Sequence, residues 1–192
     1  MILFAGLAGL LAGALSMATG EYISMRSQRE ASQHEITLEE QELRDDPEAE
    51  AEELALIYRA KGLDAEEAER VATTIMKGRQ AALDTMAREE LGLDPDQLGS
   101  PGSAALSSLG AFAAGAVVVV LPYLFSSGWA ALIAAIILAS LALFTVGAVI
   151  GVHNGRGRSG MRQLLIGGGA AMLVYLIGRG VGALTGVQLG GG

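Results

Sequence analysis

The chain has 192 residues, 51% of them hydrophobic, with 27 glycines, no cysteine and a net charge of −8. That is too apolar for an ordinary soluble domain, and the absence of cysteine excludes disulfides, thiolate metal sites and cysteine nucleophiles. Twenty of the 21 acidic residues lie between Glu30 and Asp96, while residues 97–155 contain no Asp, Glu, Lys or Arg, so the chain reads as a membrane protein with one acidic, water-facing segment.

The first element is a transmembrane helix over residues 1–25. Its sequence, MILFAGLAGLLAGALSMATG, carries no charge before Glu21 and at about 1.5 Å per residue can cross a hydrocarbon core of about 30 Å. It lacks the basic start of a signal peptide. Gly9 and Gly13 form a GxxxG pair suited to close helix packing.

Residues 26–100 form an acidic helical domain. Residues 26–96 hold 20 acidic against 9 basic side chains, a net of −11. Such a surface repels phosphate, which excludes nucleic acid as a partner, and favours cations. Ser27 to Leu43 is polar and helix-prone and extends the first helix into water. Asp46 and Pro47 are a helix start, and Gly62 a helix end. Asp64 with Glu67 resembles a capping box. Gly78 is expected to break the next helical stretch in two, and Gly92 to end it. The unit has little core of its own, so a neighbour or a ligand is expected to stabilise it.

Residues 101–192 supply three further spans, at about 104–124, 129–150 and 163–184. Pro122 to Gly128 is the turn between the first two. His153 to Arg162 reads as a short loop with three arginines. The positive-inside rule puts that loop in the cytoplasm, together with Arg26 and Arg29 and hence the acidic domain. Met1 then lies outside, and the number of spans is even, so a preceding helix is expected to be missing from this chain.

Candidate chemistry sits in two places. Glu39 with Glu42, and Glu50 with Glu53, are pairs at i,i+3 on either side of the Asp45–Pro47 break, which can fold the two helix faces together. Four converging carboxylates repel unless a cation lies between them. Met86 and Glu90, at i,i+4, add a thioether and a further carboxylate, a mixed set that suits Fe²⁺ or Mn²⁺ better than Ca²⁺. Spacing alone also fits a solvated acidic face, because EAEAEE makes such pairs nearly unavoidable. The second place is the cytoplasmic end of the first span, where Met17 and Glu21 share a helix face. Glu21 there is either part of an ion or proton path or an anchor at the headgroups. Gly155, Gly157 and Gly160 match GxGxxG without a preceding strand and carry no weight. His34 and His153 are isolated, Arg179 snorkels or pairs within the bundle, and no motif supports an enzyme.

The string GLAGLLAGALSMATGEYISMRSQRE resembles the second transmembrane helix of the vacuolar iron transporter family, and ELRDDPEAEAEELALIYRAKGL, EELGL and the hydrophobic hairpin are similar to the later segments of that family. The resemblance covers essentially the whole chain and implies an all-α transmembrane bundle with a cytoplasmic helical metal-binding domain, assembled as a homodimer. It implies exchange of Fe²⁺, and often Mn²⁺, for protons, with no other cofactor. The domain ligands would be Glu39, Glu42, Glu50, Glu53 and Glu90 with Met86 beside them, and the membrane pathway would use Met17 and Glu21. The family's first helix, with its pathway aspartate, has no counterpart in this sequence. By the same resemblance the protein sits in the cell membrane of a prokaryote or the vacuolar membrane of a eukaryote. A membrane-anchored metal buffer or sensor is the alternative, and a scaffold without selective metal binding a third reading.

Overall fold

The structure, a computed structural model, describes residues 2–185; the expectations that reach Met1 and residues 186–192 lie outside the described residues. Among the described residues every regular element is a helix. Two compact units divide the chain: Ala18–Ser107 is one, and the segment up to Met17 joins the chain from Ser108 onward in the other. The first helix, α1 (Ile2–Asp45), runs unbroken and supplies residues to both.

In the acidic unit α1 is followed by α2 (Pro47–Ala60), α3 (Ala65–Met76) and α4 (Arg79–Glu89). Their limits follow local chemistry. The Asp46 carboxylate accepts the Ala49 N–H at 3.1 Å and Pro47 occupies the first turn, where its missing N–H costs nothing. The Asp64 carboxylate accepts the Glu67 N–H at 2.8 Å. After α2, Gly62 takes φ +106°, a conformation only glycine adopts without strain. Gly78 separates α3 from α4.

These helices share a small core. Leu54, Ala72 and Met86 are fully buried, with Leu43, Ala55, Tyr58, Ile75 and Met76 packed around them. Burying a side chain such as Leu54 or Met86 stabilises by about 1.5–3 kcal/mol. Ion pairs brace the outside: Arg79 to Glu40 at 2.7 Å, Arg44 to the same carboxylate at 3.1 Å, and Lys61 to Glu89. Solvent screens exposed pairs of this kind, so they orient more than they stabilise.

The other unit takes α5 (Pro101–Val120) from Ser108 onward, a single turn α6 (Pro122–Phe125), α7 (Gly128–Ile150) and α8 (Arg156–Thr185). Among the described residues four stretches are long and apolar enough to cross a membrane: Phe4–Asp45, Pro101–Phe125, Gly128–Ile150 and Arg156–Leu184. No more than 11% of any of their apolar windows is buried. That much exposed hydrocarbon surface belongs in lipid.

The span expected at about 104–124 falls within the apolar stretch Pro101–Phe125, in which α5 ends at Val120 and Pro122, unable to continue the hydrogen-bond ladder, starts the turn α6. One expectation needs correction. The basic stretch His153 to Arg162 is mostly helix, since α8 begins at Arg156. Arginines at the positive end of a helix oppose its dipole, which is why the sequence reads as a loop. Packing against α7 outweighs that cost. A Cβ on Gly147 would stand 2.6 Å from Gln163 Cβ and 2.7 Å from the Ser159 carbonyl, and one on Gly160 would stand 2.8 Å from the Phe144 ring. Glycine at both places lets the two backbones meet. Of the Gly9–Gly13 pair, Gly13 is the member that another helix approaches: a Cβ there would strike the Phe112 ring of α5, while Gly9 faces open space.

Candidate metal centre

Glu39 on α1, Glu50 in the first turns of α2 and Glu90 just past α4 converge, with one carboxylate oxygen from each lying within 4.8 Å of the others. Among the described residues this is the one cluster of three or more His, Asp or Glu side chains placed to hold a metal ion. Each glutamate stands one helical turn from a residue packed in the core: Glu39 from Leu43, Glu50 from Leu54, Glu90 from Met86. Residues four apart share a helix face, so packing of the apolar set draws the carboxylates inward.

Burial is pronounced. Glu39 is only 2% exposed and Glu50 9%. The Glu39 Oε1 is buried with no hydrogen-bond partner. A carboxylate withdrawn from water without a partner costs several kcal/mol and ordinarily takes up a proton or a cation instead. Desolvation, then the charges of Glu90, Glu50, Glu42 and Glu53, push Glu39 up to about 7. Glu50 is also raised, by burial first and then by Glu53, Glu90, Glu42 and Asp46. Glu90 is raised by burial and by Glu53 and Glu42, and a hydrogen bond with Glu39 partly offsets this. The five glutamates thus act on one another as a single negative cluster.

The sequence-derived set divides on this geometry. Glu39, Glu50 and Glu90 come together. Glu42 and Glu53 are exposed and reach the cluster through their charge. Met86 is fully buried within the core alongside Leu54 and Ala72, an arrangement that accounts for an apolar side chain without a ligand role. Met17 and Glu21 are both exposed on α1, and among the described residues Glu21 joins no metal-binding cluster.

One contributor was not singled out from sequence. Glu40, beside Glu39, takes Arg79 and Arg44 together, and these guanidinium groups hold its carboxyl below the usual range. The contact ties the start of α4 to α1, and α4 carries Glu90 at its other end. Glu40 and Arg44 are legible as an i,i+4 pair; Arg79 is distant in sequence and leaves no local signal.

Residues 1–179 match the profile of the VIT family. The chain is 35% identical over 187 residues to a protein of Acanthamoeba castellanii named vacuolar iron transporter, covering 96% of this chain and 69% of that one. It is 32% identical to vacuolar iron transporter 1 of Arabidopsis thaliana over 93% of this chain and 73% of that one. It is 30% identical to the Tulipa gesneriana protein of the same name, with coverage of 94% and 74%.

Proposed function

Starting from a chain that belongs to the VIT family, we propose that this integral membrane protein transports a divalent metal, Fe²⁺ first and Mn²⁺ as a second substrate, in exchange for protons. The observation that carries the reading is the Glu39–Glu50–Glu90 cluster, in which Glu39 and Glu50 are buried, Glu90 is exposed and the Glu39 Oε1 has no hydrogen-bond partner. Three carboxylates in that space need positive charge between them. Carboxylate donors also suit Mn²⁺, which a given site binds more weakly than Fe²⁺.

The exchange follows from charge. With Glu39 raised to about 7, the apo cluster shares a proton near neutral pH. An arriving divalent cation favours the ionised carboxylates and releases that proton. Glu42 and Glu53, exposed and acidic, draw the cation toward the cluster. Met17 and Glu21 then line the route across the membrane. A cytoplasmic acidic unit is supported by the arginines at Arg26, Arg29, Arg156, Arg158 and Arg162, which the positive-inside rule favours on that side. The working form is a homodimer, in which a second copy covers apolar surface that one chain leaves exposed.

The test is metal flux into proteoliposomes holding the full chain, with luminal pH followed at the same time. Fe²⁺ entry with proton movement in the opposite sense, lost in Glu39→Gln/Glu50→Gln, is expected. The whole cluster lies within one compact unit, which also fits a membrane-anchored buffer. Metal binding without any flux would select that second reading.

A further inference from the structure

Along α8 an open groove of about 690 Å³ is lined by Arg158, Ser159, Met161, Arg162, Leu165 and Ile166. Five of these, Arg158, Met161, Arg162, Leu165 and Ile166, form one stripe at i, i+3, i+4, i+7 and i+8 of a helix, and Ser159 is buried beside it. The stripe has a direction: its first two turns carry guanidinium groups, and its next turn is apolar. Arg158 and Arg162 are exposed. Leu165 and Ile166 are 68% and 63% exposed, and Met161 is half exposed.

The arginines have no obvious counter-charge. From residue 97 to the end the sequence contains no Asp or Glu. Among the described residues, Arg156, Arg158 and Arg162 take part in no ion pair; the six pairs there all join residues between Arg26 and Asp96. Arg158 and Arg162, four apart on one helix face, lie beside the exposed apolar turn of Leu165 and Ile166, near the start of a helix long and apolar enough to cross a membrane.

We propose that this groove binds an anionic phospholipid, with its phosphate against Arg158 and Arg162 and an acyl chain along Met161, Leu165 and Ile166. Guanidinium groups pair with phosphate through charge-assisted, often bidentate hydrogen bonds. Basic pockets at the cytoplasmic end of membrane helices favour anionic headgroups, on the order of fivefold in affinity for each Arg. A free anion satisfies the arginines alone. A phospholipid matches the whole stripe, charged at one end and apolar from the next turn on. At about 1.5 Å per residue the stripe is about 12 Å long, the length of a headgroup and the first part of an acyl chain.

The experiment is native mass spectrometry of the full chain, released from micelles holding equal amounts of dioleoyl phosphatidylglycerol and dioleoyl phosphatidylcholine. The wild type should retain phosphatidylglycerol well above phosphatidylcholine. Arg158→Gln and Arg162→Gln should each lower that preference about fivefold, and the double variant should bring it close to unity. Arg158→Lys/Arg162→Lys should keep a clear preference, which separates lost charge from lost fold. Arg179→Gln, on the same helix outside the groove, should behave as wild type. A double Gln variant with undiminished preference overturns the proposal, as does an Arg179→Gln variant that loses it equally. Complete displacement of the lipid by an equal concentration of glycerol phosphate would show a free-anion site and overturn it too.

Discussion

Glu39 and Glu50 stand on opposite sides of the Asp46–Pro47 helix break, and their carboxylates meet within 4.8 Å in the acidic unit with Glu90 as the third member. Both are buried, which sets them apart from their neighbours Glu42 and Glu53 at the same helical spacing. Metal affinity should follow that difference. Glu39→Gln and Glu50→Gln are expected to weaken Co²⁺ binding, a redox-stable stand-in for Fe²⁺, by at least about tenfold. Glu42→Gln and Glu53→Gln should cost less, since they act through charge. Calorimetry on the four purified variants checks the ranking; equal losses at all four positions would count against a buried centre.

The stability of the metal-free protein should fall as pH rises. Glu39 holds its proton up to about 7 in the folded state, while in the unfolded chain it titrates in the usual carboxylate range, near pH 4.3. Between those values the folded state binds more protons, so stability is greatest below the unfolded pKa and is lost as pH passes through the folded one. The effect is on the order of 3 kcal/mol at most. Amide protection factors over Ala18–Ser107 in the apo protein, taken relative to the intrinsic exchange rate at each pH, should fall between pH 5 and pH 8. Glu39→Gln should flatten the profile, and added metal should reverse the loss at high pH.

Met86 offers a test of core against ligand. It is fully buried with Leu54 and Ala72, so Met86→Ala should destabilise the unit by about 2–5 kcal/mol. Met86→Leu nearly conserves volume and should cost less than about 1.5 kcal/mol. If the thioether also contacts the metal, Met86→Leu will weaken Fe²⁺ binding while thermal stability stays close to wild type. Unchanged affinity in that variant limits Met86 to packing.

Met17 and Glu21 should affect passage and not capture. They lie four apart on α1, both exposed, and among the described residues the candidate metal cluster does not include them. Met17→Ala and Glu21→Gln are expected to lower Fe²⁺ flux into proteoliposomes several-fold, with calorimetric affinity unaltered. Glu21→Gln should also change how flux depends on pH. Wild-type flux and pH dependence in that variant would make Glu21 an interfacial anchor.

The α7–α8 hairpin should tolerate no side chain at Gly147. Its Cβ would press on Gln163 and on the Ser159 carbonyl, which is backbone and cannot step aside. Gly147→Val is therefore expected to destabilise the hairpin by about 1–3 kcal/mol or more, read as reduced thermal stability in detergent. Gly168→Ala, where nothing lies within 4 Å, is the matched control.

Much of this was legible in the chain itself. Segregated charge marked the acidic unit and the apolar spans, because solvation acts on composition and needs no partner. Asp46, Pro47, Asp64, Gly62 and Gly78 marked the helix limits, because capping and backbone freedom depend on neighbours a few residues away. Pairs at i,i+3 and i,i+4 narrowed the candidate ligands to a few glutamates and one methionine. What the spacing could not do was rank them. That Glu39 and Glu50 are buried while Glu42 and Glu53 are exposed depends on which helix face meets Leu54 and Met86, and only the folded chain decides it. The same holds for α8. Its arginines read as a loop because local electrostatics disfavours them at a helix start, and the helix forms because Gly147 and Gly160 let α7 and α8 pack at backbone distance. Local chemistry is written in the sequence, whereas burial and long-range pairing such as Arg79 with Glu40 arise only when distant segments compete for the same space.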